Sequence, residues 1–163
     1  DKTYKGDAYA TYAWAVYVAE VTVDLTTYET RVDRFWALQD AGKIIHPVMA
    51  AGQIEGGVAQ GIGLALYEKV VWKEGRMQNA QMTNYIMPTS LDVPDIYVEF
   101  DDRATRLGTP VAHGPRGAKG IGELPLDGSA PAVASAVQHA TGVLCGSVPM
   151  TPEDLMQALE AAR

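Results

Sequence analysis

The chain has 163 residues, of which 47% are hydrophobic and 20% are charged, and its formal net charge is −7. This composition is typical of a globular protein with room for one core, and we expect residues 1–163 to form a single domain. The acidic balance argues against a nucleic-acid partner, because phosphate binding requires a basic face. No apolar run reaches the ~18 residues of a membrane span. The N-terminus also lacks the residue order of a signal peptide, so we expect a cytoplasmic protein.

Cysteine and histidine usage excludes several metal sites. Cys145 is the single cysteine, so the chain cannot form an internal disulfide, a cysteine-ligated iron–sulfur cluster or a cysteine zinc site by itself. The three histidines lack the spacing of a metal site. We therefore predict no metal ligands in this chain.

A β-hairpin is predicted near the N-terminus. Residues 9–24 are rich in aromatic and β-branched types and alternate in polarity from Val18, which favours a half-buried strand. Residues 30–37 are the predicted partner strand. Trp14 and Trp36 are large enough to anchor the buried face of this sheet.

A long helix is predicted from about residue 48 to residue 69, opened by Pro47, because apolar residues recur there at helical spacing. Gln53 is expected at its N-terminal end, where a helix dipole and free N–H groups favour an anionic ligand. Glycine inside a helix costs up to ~1 kcal/mol relative to alanine. Either close packing against another element or the close approach of a ligand must offset that cost. The glycines concerned are Gly56, Gly57, Gly61 and Gly63.

The middle of the chain reads as short strands and loops. Residues 70–79 favour a strand, a turn and a strand, and residues 80–94 favour a loop. Residues 96–100 alternate in polarity and predict a strand. Residues 101–115 are polar, contain glycine and proline, and predict a loop.

Two helices are predicted at the C-terminus. The first covers residues 129–140, with Pro131 in its first turn and Gly142 as its stop. The second runs to about residue 162, with Thr151 as its N-cap. The elements together predict an α+β fold, in which mixed sheet hairpins pack with a long glycine-rich helix and two C-terminal helices.

Residues 117–125, Gly-Ala-Lys-Gly-Ile-Gly-Glu-Leu-Pro, form the most distinctive stretch. Three glycines in six residues let a backbone pass close to another group, and the carboxylate of Glu123 follows the last of them. Such a loop can cradle a phosphate or an oxyanion, or it can aim a general base at a substrate. A solvated turn is the alternative interpretation.

These motifs together resemble the molybdenum hydroxylases, the xanthine dehydrogenase and aldehyde oxidase family. Residues 52–63 resemble the helix-opening motif of the molybdenum subunit, and residues 117–125 resemble its catalytic loop, which ends in Gly-x-Gly-Glu. Residues 84–89, 92–94 and 148–153 also match in order and spacing. The resemblance covers nearly the whole chain and corresponds to the C-terminal part of a larger molybdopterin-binding subunit.

The chain departs from the family pattern in two loops. His46 stands where the family usually has Asn in an Asp-x-Gly-x-x-x-Asn-Pro loop, here residues 40–47. The first hairpin turn, residues 25–30, lacks the glycine that is common there. Because of these two changes, the family pattern does not predict the geometry of either loop.

The resemblance implies an oxidoreductase that inserts water-derived oxygen at an electron-poor carbon of a purine-like N-heterocycle or an aldehyde. In that chemistry a Mo–OH oxygen attacks the carbon, hydride passes to a Mo=S group, and Glu123 acts as the general base. Gln53 would hydrogen-bond the pterin, and the glycine loop would approach the edge of the cofactor. The cofactor-binding residues that the resemblance implies are Gln53, Ala118, Lys119, Gly120, Ile121 and Gly122.

The resemblance also implies cofactors and partners. The cofactor would be molybdopterin with molybdenum, in bacteria commonly the cytosine dinucleotide, shared with the remaining part of the molybdenum subunit. Electrons would leave through a [2Fe-2S] subunit and often a subunit carrying FAD. The chain would therefore act only within a multi-subunit complex on a small-molecule substrate.

Two other functions are weighed against this one. The first is a nucleotide-phosphate-binding module, with Arg116, Lys119 and the glycine loop as the cradle. The loop lacks the Gly-Lys-Ser/Thr and Gly-x-Gly-x-x-Gly signatures, which argues against it. The second is a non-catalytic structural subunit of a larger complex, and the intact Gly122-Glu123 pair argues against that.

Overall fold

A computed structural model describes residue 6, residues 11–101 and residues 114–162 of the chain. In these residues the predicted α+β fold is confirmed. The strands are β1 (Ala15–Val23), β2 (Thr30–Gln39), β3 (Trp72–Lys73), β4 (Arg76–Met77) and β5 (Asp95–Phe100). The α-helices are α1 (Pro47–Leu66), α2 (Leu124–Thr141) and α3 (Pro152–Ala161). Most of the loop predicted over residues 101–115 lies outside the described residues.

The main sheet has three strands in the order β1-β2-β5. Strands β1 and β2 pair antiparallel, as the hairpin prediction required, with a bulge between Glu20 and Val21. Strand β5 pairs parallel to β2, with Arg34 opposite Asp95. A parallel pair needs a long crossover connection, and α1 lies within it. Strands β3 and β4 form a separate small hairpin.

The first hairpin turn closes without a glycine. The Asp24 carboxylate accepts a hydrogen bond from the Thr26 amide at 2.7 Å, and the backbone of Asp24 donates to the Glu29 carbonyl at 2.9 Å. The Thr26 amide also holds the pKa of Asp24 below its usual value. Tyr28 adopts a φ of 62°, which lies in a backbone region that few residues other than glycine occupy. The hydrogen bonds of Asp24 and the positive φ of Tyr28 thus close the turn without a glycine.

The core lies between the sheet and the two long helices. Ile54, Val58 and Ile62 of α1 are fully buried, as the helical spacing predicted. They pack in one cluster with Phe35 of β2 and Val133 of α2. This packing fixes α1 and α2 on the same side of the sheet.

The prediction that tryptophans anchor the buried face is wrong. Trp36 is 36% exposed and stacks on Tyr97 with ring centroids 5.7 Å apart, while its neighbours Phe35 and Ala37 are buried. Trp14 is 42% exposed. The register of a strand decides which face a side chain takes, and here it places the smaller residues inside.

Helix α2 begins five residues earlier than predicted, at Leu124 instead of residue 129. Its first-turn proline is Pro125, so the assignment of Pro131 to that position is wrong. Pro131 lies inside the helix, where it removes one backbone donor. Gly142 ends the helix with a φ of 79°, as predicted. The early start makes Glu123 the N-cap residue of α2.

Helix α3 begins as predicted. The Thr151 side chain accepts from the Asp154 amide, and the Asp154 carboxylate accepts from the Thr151 amide, which is a complete capping box. The hydrogen bond from the Thr151 hydroxyl lowers the pKa of Asp154. Within the described ranges, no helix is both long enough and apolar enough to cross a membrane.

Candidate functional site

Two loops that are distant in sequence are tied together by backbone hydrogen bonds. We call residues 40–46 and residues 117–122 the paired loops. The Lys43 amide donates to the Gly117 carbonyl at 2.8 Å, and the Lys119 amide donates to the Ala41 carbonyl at 2.9 Å. These bonds flank an antiparallel bridge between Gly42 and Ala118. The glycine loop is therefore attached to the end of β2.

Gly42 is required for this pairing. Its φ is 61°, and a Cβ at this position would collide with the Gly117 carbonyl oxygen. The Gly42 amide donates to the Asp40 carboxylate at 3.0 Å. The glycine of the Asp-x-Gly motif thus lets the two backbones approach each other.

A buried ion pair joins the same loops. The Lys119 ammonium contacts the second carboxylate oxygen of Asp40, and the two side chains are only 9% and 8% exposed. Lys119 was predicted to bind the cofactor. Its side chain is engaged with Asp40, and its backbone, the part expected to approach the cofactor, belongs to the glycine loop.

His46 takes over the role of a helix cap. It is the N-cap of α1, and its Nδ1 atom accepts a hydrogen bond from the Met49 amide at 3.3 Å. Asparagine is a favoured N-cap because its side-chain oxygen accepts the same kind of bond. The replacement of the family's Asn by His46 therefore keeps an acceptor at the start of α1.

Gln53 connects α1 to the glycine loop. Its Nε2 atom donates to the Gly122 carbonyl at 2.7 Å. Helix α1 begins at Pro47, as predicted, which places Gln53 on its second turn. Its Oε1 atom has no hydrogen-bond partner among the described residues and is free to accept one.

Glu123 lies directly after the carbonyl that Gln53 holds. It occupies the N-cap of α2 with φ −114° and ψ −10°, and its side chain makes no capping hydrogen bond. The residue is exposed. An exposed carboxylate on a fixed backbone can accept a proton from a group bound beside it.

The paired loops and the start of α1 line an open cavity of about 360 Å³. Five of the six predicted cofactor-binding residues line it, namely Gln53, Ala118, Lys119, Ile121 and Gly122. Gly120 and Glu123 do not line it. The sequence interpretation missed the other wall, which consists of Ala41, Lys43, Ile44, Ile45, His46, Met49 and Ala50. The signal for that wall was the Asp-x-Gly loop, which was recognised as a motif but given no role.

Close packing explains part of the glycine content of α1. A Cβ on Gly57 would lie 2.6 Å from the Pro125 Cβ, and one on Gly61 would collide with the Ser129 Cβ. Both glycines therefore let α2 approach α1. A Cβ on Gly56 would meet nothing within 4 Å. Close packing therefore explains why Gly57 and Gly61 are glycines, but it does not explain Gly56.

Among the described residues, no group of three or more His, Cys, Asp or Glu side chains could hold a metal ion. The cavity is lined by backbone groups, the Gln53 amide, apolar side chains, two lysines and a histidine, and carries no carboxylate. Such a set suits an organic ligand better than a bare cation, which prefers several carboxylate or carbonyl oxygens.

Comparison with known proteins identifies the family. The sequence model of the molybdopterin cofactor-binding domain matches residues 1–94. The chain is 37% identical over 160 residues to the aldehyde oxidoreductase of Megalodesulfovibrio gigas, covering 96% of this chain and 16% of that protein. It is 32% identical over 148 residues to the xanthine dehydrogenase molybdenum-binding subunit of Escherichia coli O157:H7, covering 88% of this chain and 18% of that subunit.

Comparison with a solved structure supports the same family assignment. The quinoline 2-oxidoreductase of Pseudomonas putida 86 superimposes with a TM-score of 0.76 at 37% identity, covering 86% of this chain and 18% of that one. The chain thus spans less than a fifth of the length of these relatives. The resemblance to molybdenum hydroxylases is confirmed, and the chain belongs to the molybdopterin cofactor-binding domain family.

Proposed function

We propose that this chain forms one wall of the molybdopterin site of a molybdenum hydroxylase and supplies its general base, Glu123. One observation carries the proposal. The hydrogen bond from Gln53 to the Gly122 carbonyl joins the two motifs that resemble the family's cofactor-binding helix and catalytic loop. These motifs are 69 residues apart in sequence, and Glu123 follows directly from the contact between them.

The residues present fit a pterin. The backbone N–H groups of Gly120, Ile121 and Gly122 have no acceptor within the part of the chain that the structure describes. A Cβ on Gly120 or Gly122 would meet nothing within 4 Å, so a flat ligand can lie against this backbone. A pterin edge carries both donors and acceptors, and the free Gln53 oxygen can accept from it. The loop and the helix thus provide complementary groups.

When bound, the cofactor would supply the chemistry of oxygen transfer to carbon and of two-electron uptake. The chain's own residues hold and move a proton. The Glu123 carboxylate accepts the proton released during oxygen transfer, and its exposure provides a path for that proton to solvent. Gln53 fixes the Gly122 carbonyl, and with it the backbone that carries Glu123. Precise placement matters because small displacements of a catalytic group lower the rate steeply.

The names of the relatives support a substrate class and an assembly. They include an aldehyde oxidoreductase, a xanthine dehydrogenase subunit and a quinoline oxidoreductase. We infer a small aldehyde or N-heterocycle as substrate and the cytosine dinucleotide form of the cofactor. The remaining part of the molybdenum subunit would complete the cavity. A [2Fe-2S] subunit and a flavin subunit would carry the electrons away.

The structure does not favour a nucleotide-phosphate cradle. Such a site would use the Lys119 ammonium on a phosphate, but this ammonium is paired with Asp40 inside the protein. Arg116 is exposed and lies in a short 3-10 turn before the loop, and it is not part of the cavity wall. The cavity itself is mostly apolar in lining.

Replacing Glu123 with glutamine tests the proposal. The substitution keeps the shape of the side chain and removes its ability to accept a proton. In the assembled, molybdenum-loaded enzyme we expect kcat to fall by ~10²–10⁴-fold with aldehyde and N-heterocycle substrates, with molybdenum content unchanged.

Glu153→Gln is the matched control, because Glu153 is also an exposed glutamate at the start of a helix. It should retain the kcat of the parent enzyme. A normal kcat for a molybdenum-loaded Glu123→Gln variant would refute the assignment of the base.

A further inference from the structure

Among the residues that the structure describes, the Asp40–Lys119 pair is more buried than the other ion pairs, including Arg31–Asp33, whose side chains are 75% and 22% exposed. The Arg34–Glu20 pair has side chains that are 53% and 44% exposed, and the Lys69–Asp154 pair has side chains that are 58% and 31% exposed. Burying two charges costs solvation free energy, which only good geometry and added hydrogen bonds offset. Such a pair is weak evidence for stability and better evidence for fixing one arrangement.

Asp40 is held from the sheet side by a chain of buried hydrogen bonds. The Tyr17 hydroxyl donates to the Gln39 side chain at 2.9 Å. The Gln39 amide nitrogen donates to the Trp14 carbonyl at 3.0 Å and to the Asp40 carbonyl at 3.1 Å. Gln39 is fully buried. The backbone of Asp40 is thus fixed at the end of β2, and the Gly42 amide holds its carboxylate.

Lys119 transmits that position to the glycine loop. Between Lys119 and Glu123, the segment makes one hydrogen bond to the rest of the described chain, from Gln53 to the Gly122 carbonyl. The segment therefore has two anchors, with Lys119 at its start and Gln53 at its end. Gly120 and Gly122 lie between them. The Lys119 amide also bonds to the Ala41 carbonyl, and the Glu123 carbonyl accepts from the Leu126 amide, so loss of the ion pair would loosen residues 120–122 and shift Glu123 without detaching it from α2.

We propose that Asp40 and Lys119 are positioning residues, whose buried ion pair sets the placement of Glu123 for proton transfer. This inference rests on the proposed function of Glu123. The Lys119 side chain then has a structural role inside the protein, and only the Lys119 backbone faces the cofactor. If the ammonium turned to a cofactor phosphate, the Asp40 carboxylate would stay buried without a counter-charge, which is strongly destabilising.

The test uses the assembled enzyme carrying Asp40→Asn together with Lys119→Met. The double variant avoids a lone buried charge, so it should fold even where either single variant does not. We expect molybdenum content and KM to stay within about twofold, while kcat falls about 10- to 100-fold. Amide hydrogen exchange in residues 118–123 should become faster, which is a readout independent of turnover.

Two further variants sharpen the test. Lys119→Arg keeps the charge and should recover most of the lost kcat and the slow exchange. Lys69→Met breaks an exposed ion pair and should change neither kcat nor exchange in residues 118–123. Unchanged kcat and exchange in the double variant would overturn the proposal. A loss of molybdenum that matches the loss of activity, with normal kcat per molybdenum, would also overturn it and make Lys119 a cofactor ligand.

The two proposals fail in different ways. Normal turnover in the Glu123→Gln variant removes the proposed function. The exchange rates of residues 118–123 report on the ion pair whether or not Glu123 is the base.

Discussion

Four of the five glycines of α1 lie in two different environments. Gly57 and Gly61 face α2, where an added Cβ would collide with Pro125 and Ser129. Gly52 and Gly56 lie one turn apart, and an added Cβ at either would meet nothing within 4 Å. All four belong to the stretch that resembles one motif of the family, yet only the first two are explained by packing within the described chain.

This difference separates a structural role of glycine from a role in binding. At the first pair, glycine brings α2 close to α1 and thereby places Glu123 beside Gln53. At the second pair, alanine would favour the helix by up to ~1 kcal/mol at each site. We infer that the cofactor or the remaining part of the molybdenum subunit approaches the helix at Gly52 and Gly56.

Gly61→Ala should have the largest effect on stability. Its Cβ would overlap the Ser129 Cβ, and Ser129 is fully buried and hydrogen-bonded to the Pro125 carbonyl at 2.6 Å. Overpacking of this kind typically costs ~1–3 kcal/mol. Thermal unfolding of the assembled enzyme should show a Tm below that of the parent enzyme.

Ser129→Gly provides the matching partner variant, because it removes the atom that collides. If the contact is the cause, the double variant should be more stable than the sum of the two single effects predicts. Strict additivity would show that Gly61 is needed for some other reason.

Gly52→Ala and Gly56→Ala should have a smaller effect of opposite sign. Each is expected to raise the free energy of unfolding by up to ~1 kcal/mol, because alanine is the better helix former and the space is open. If a ligand approaches there, molybdenum content should fall although the protein becomes more stable. Stabilisation with full molybdenum content at both positions would show that neither glycine has a binding role.

The local elements were predictable because their signals are local. The apolar spacing of Ile54, Val58 and Ile62 predicted α1, and the residues from Thr151 onward predicted α3. The parallel pairing of β2 with β5 was not predictable in this way, since it joins residues about 60 positions apart and leaves no local pattern. The outward position of Trp36 depends on strand register, which composition does not show.

The candidate site shows the same division. The glycine loop and Gln53 were found from their motifs, and the structure brings them together through one hydrogen bond. The Asp40–Lys119 pair spans 79 residues and was missed, because neither residue type nor spacing signals a long-range contact. The start of α2 was misplaced because two prolines, Pro125 and Pro131, each fit a first turn, and only tertiary packing chooses between them.

Gly63→Ala should have the smallest effect, and it tests whether any glycine can be explained by a movable neighbour. Its Cβ would meet the Glu68 carboxylate, the far end of a flexible side chain, and would lie 3.0 Å from the Pro88 Cδ. Glu68 can move at the expense of its hydrogen bond from the Tyr85 hydroxyl, now 2.7 Å long. We expect a loss below ~1 kcal/mol, similar to the net value of one hydrogen bond.

The hydrogen bond raises the pKa of Tyr85, so its loss should lower that pKa, which a spectrophotometric titration of tyrosine can follow. Tyr85→Phe is the matched control, because it removes the same hydrogen bond without adding an atom, and Gly63→Ala in that background should then cost little more. A loss as large as that of Gly61→Ala would mean that the Pro88 ring cannot move away, and Gly63 would then join Gly57 and Gly61 as a packing glycine.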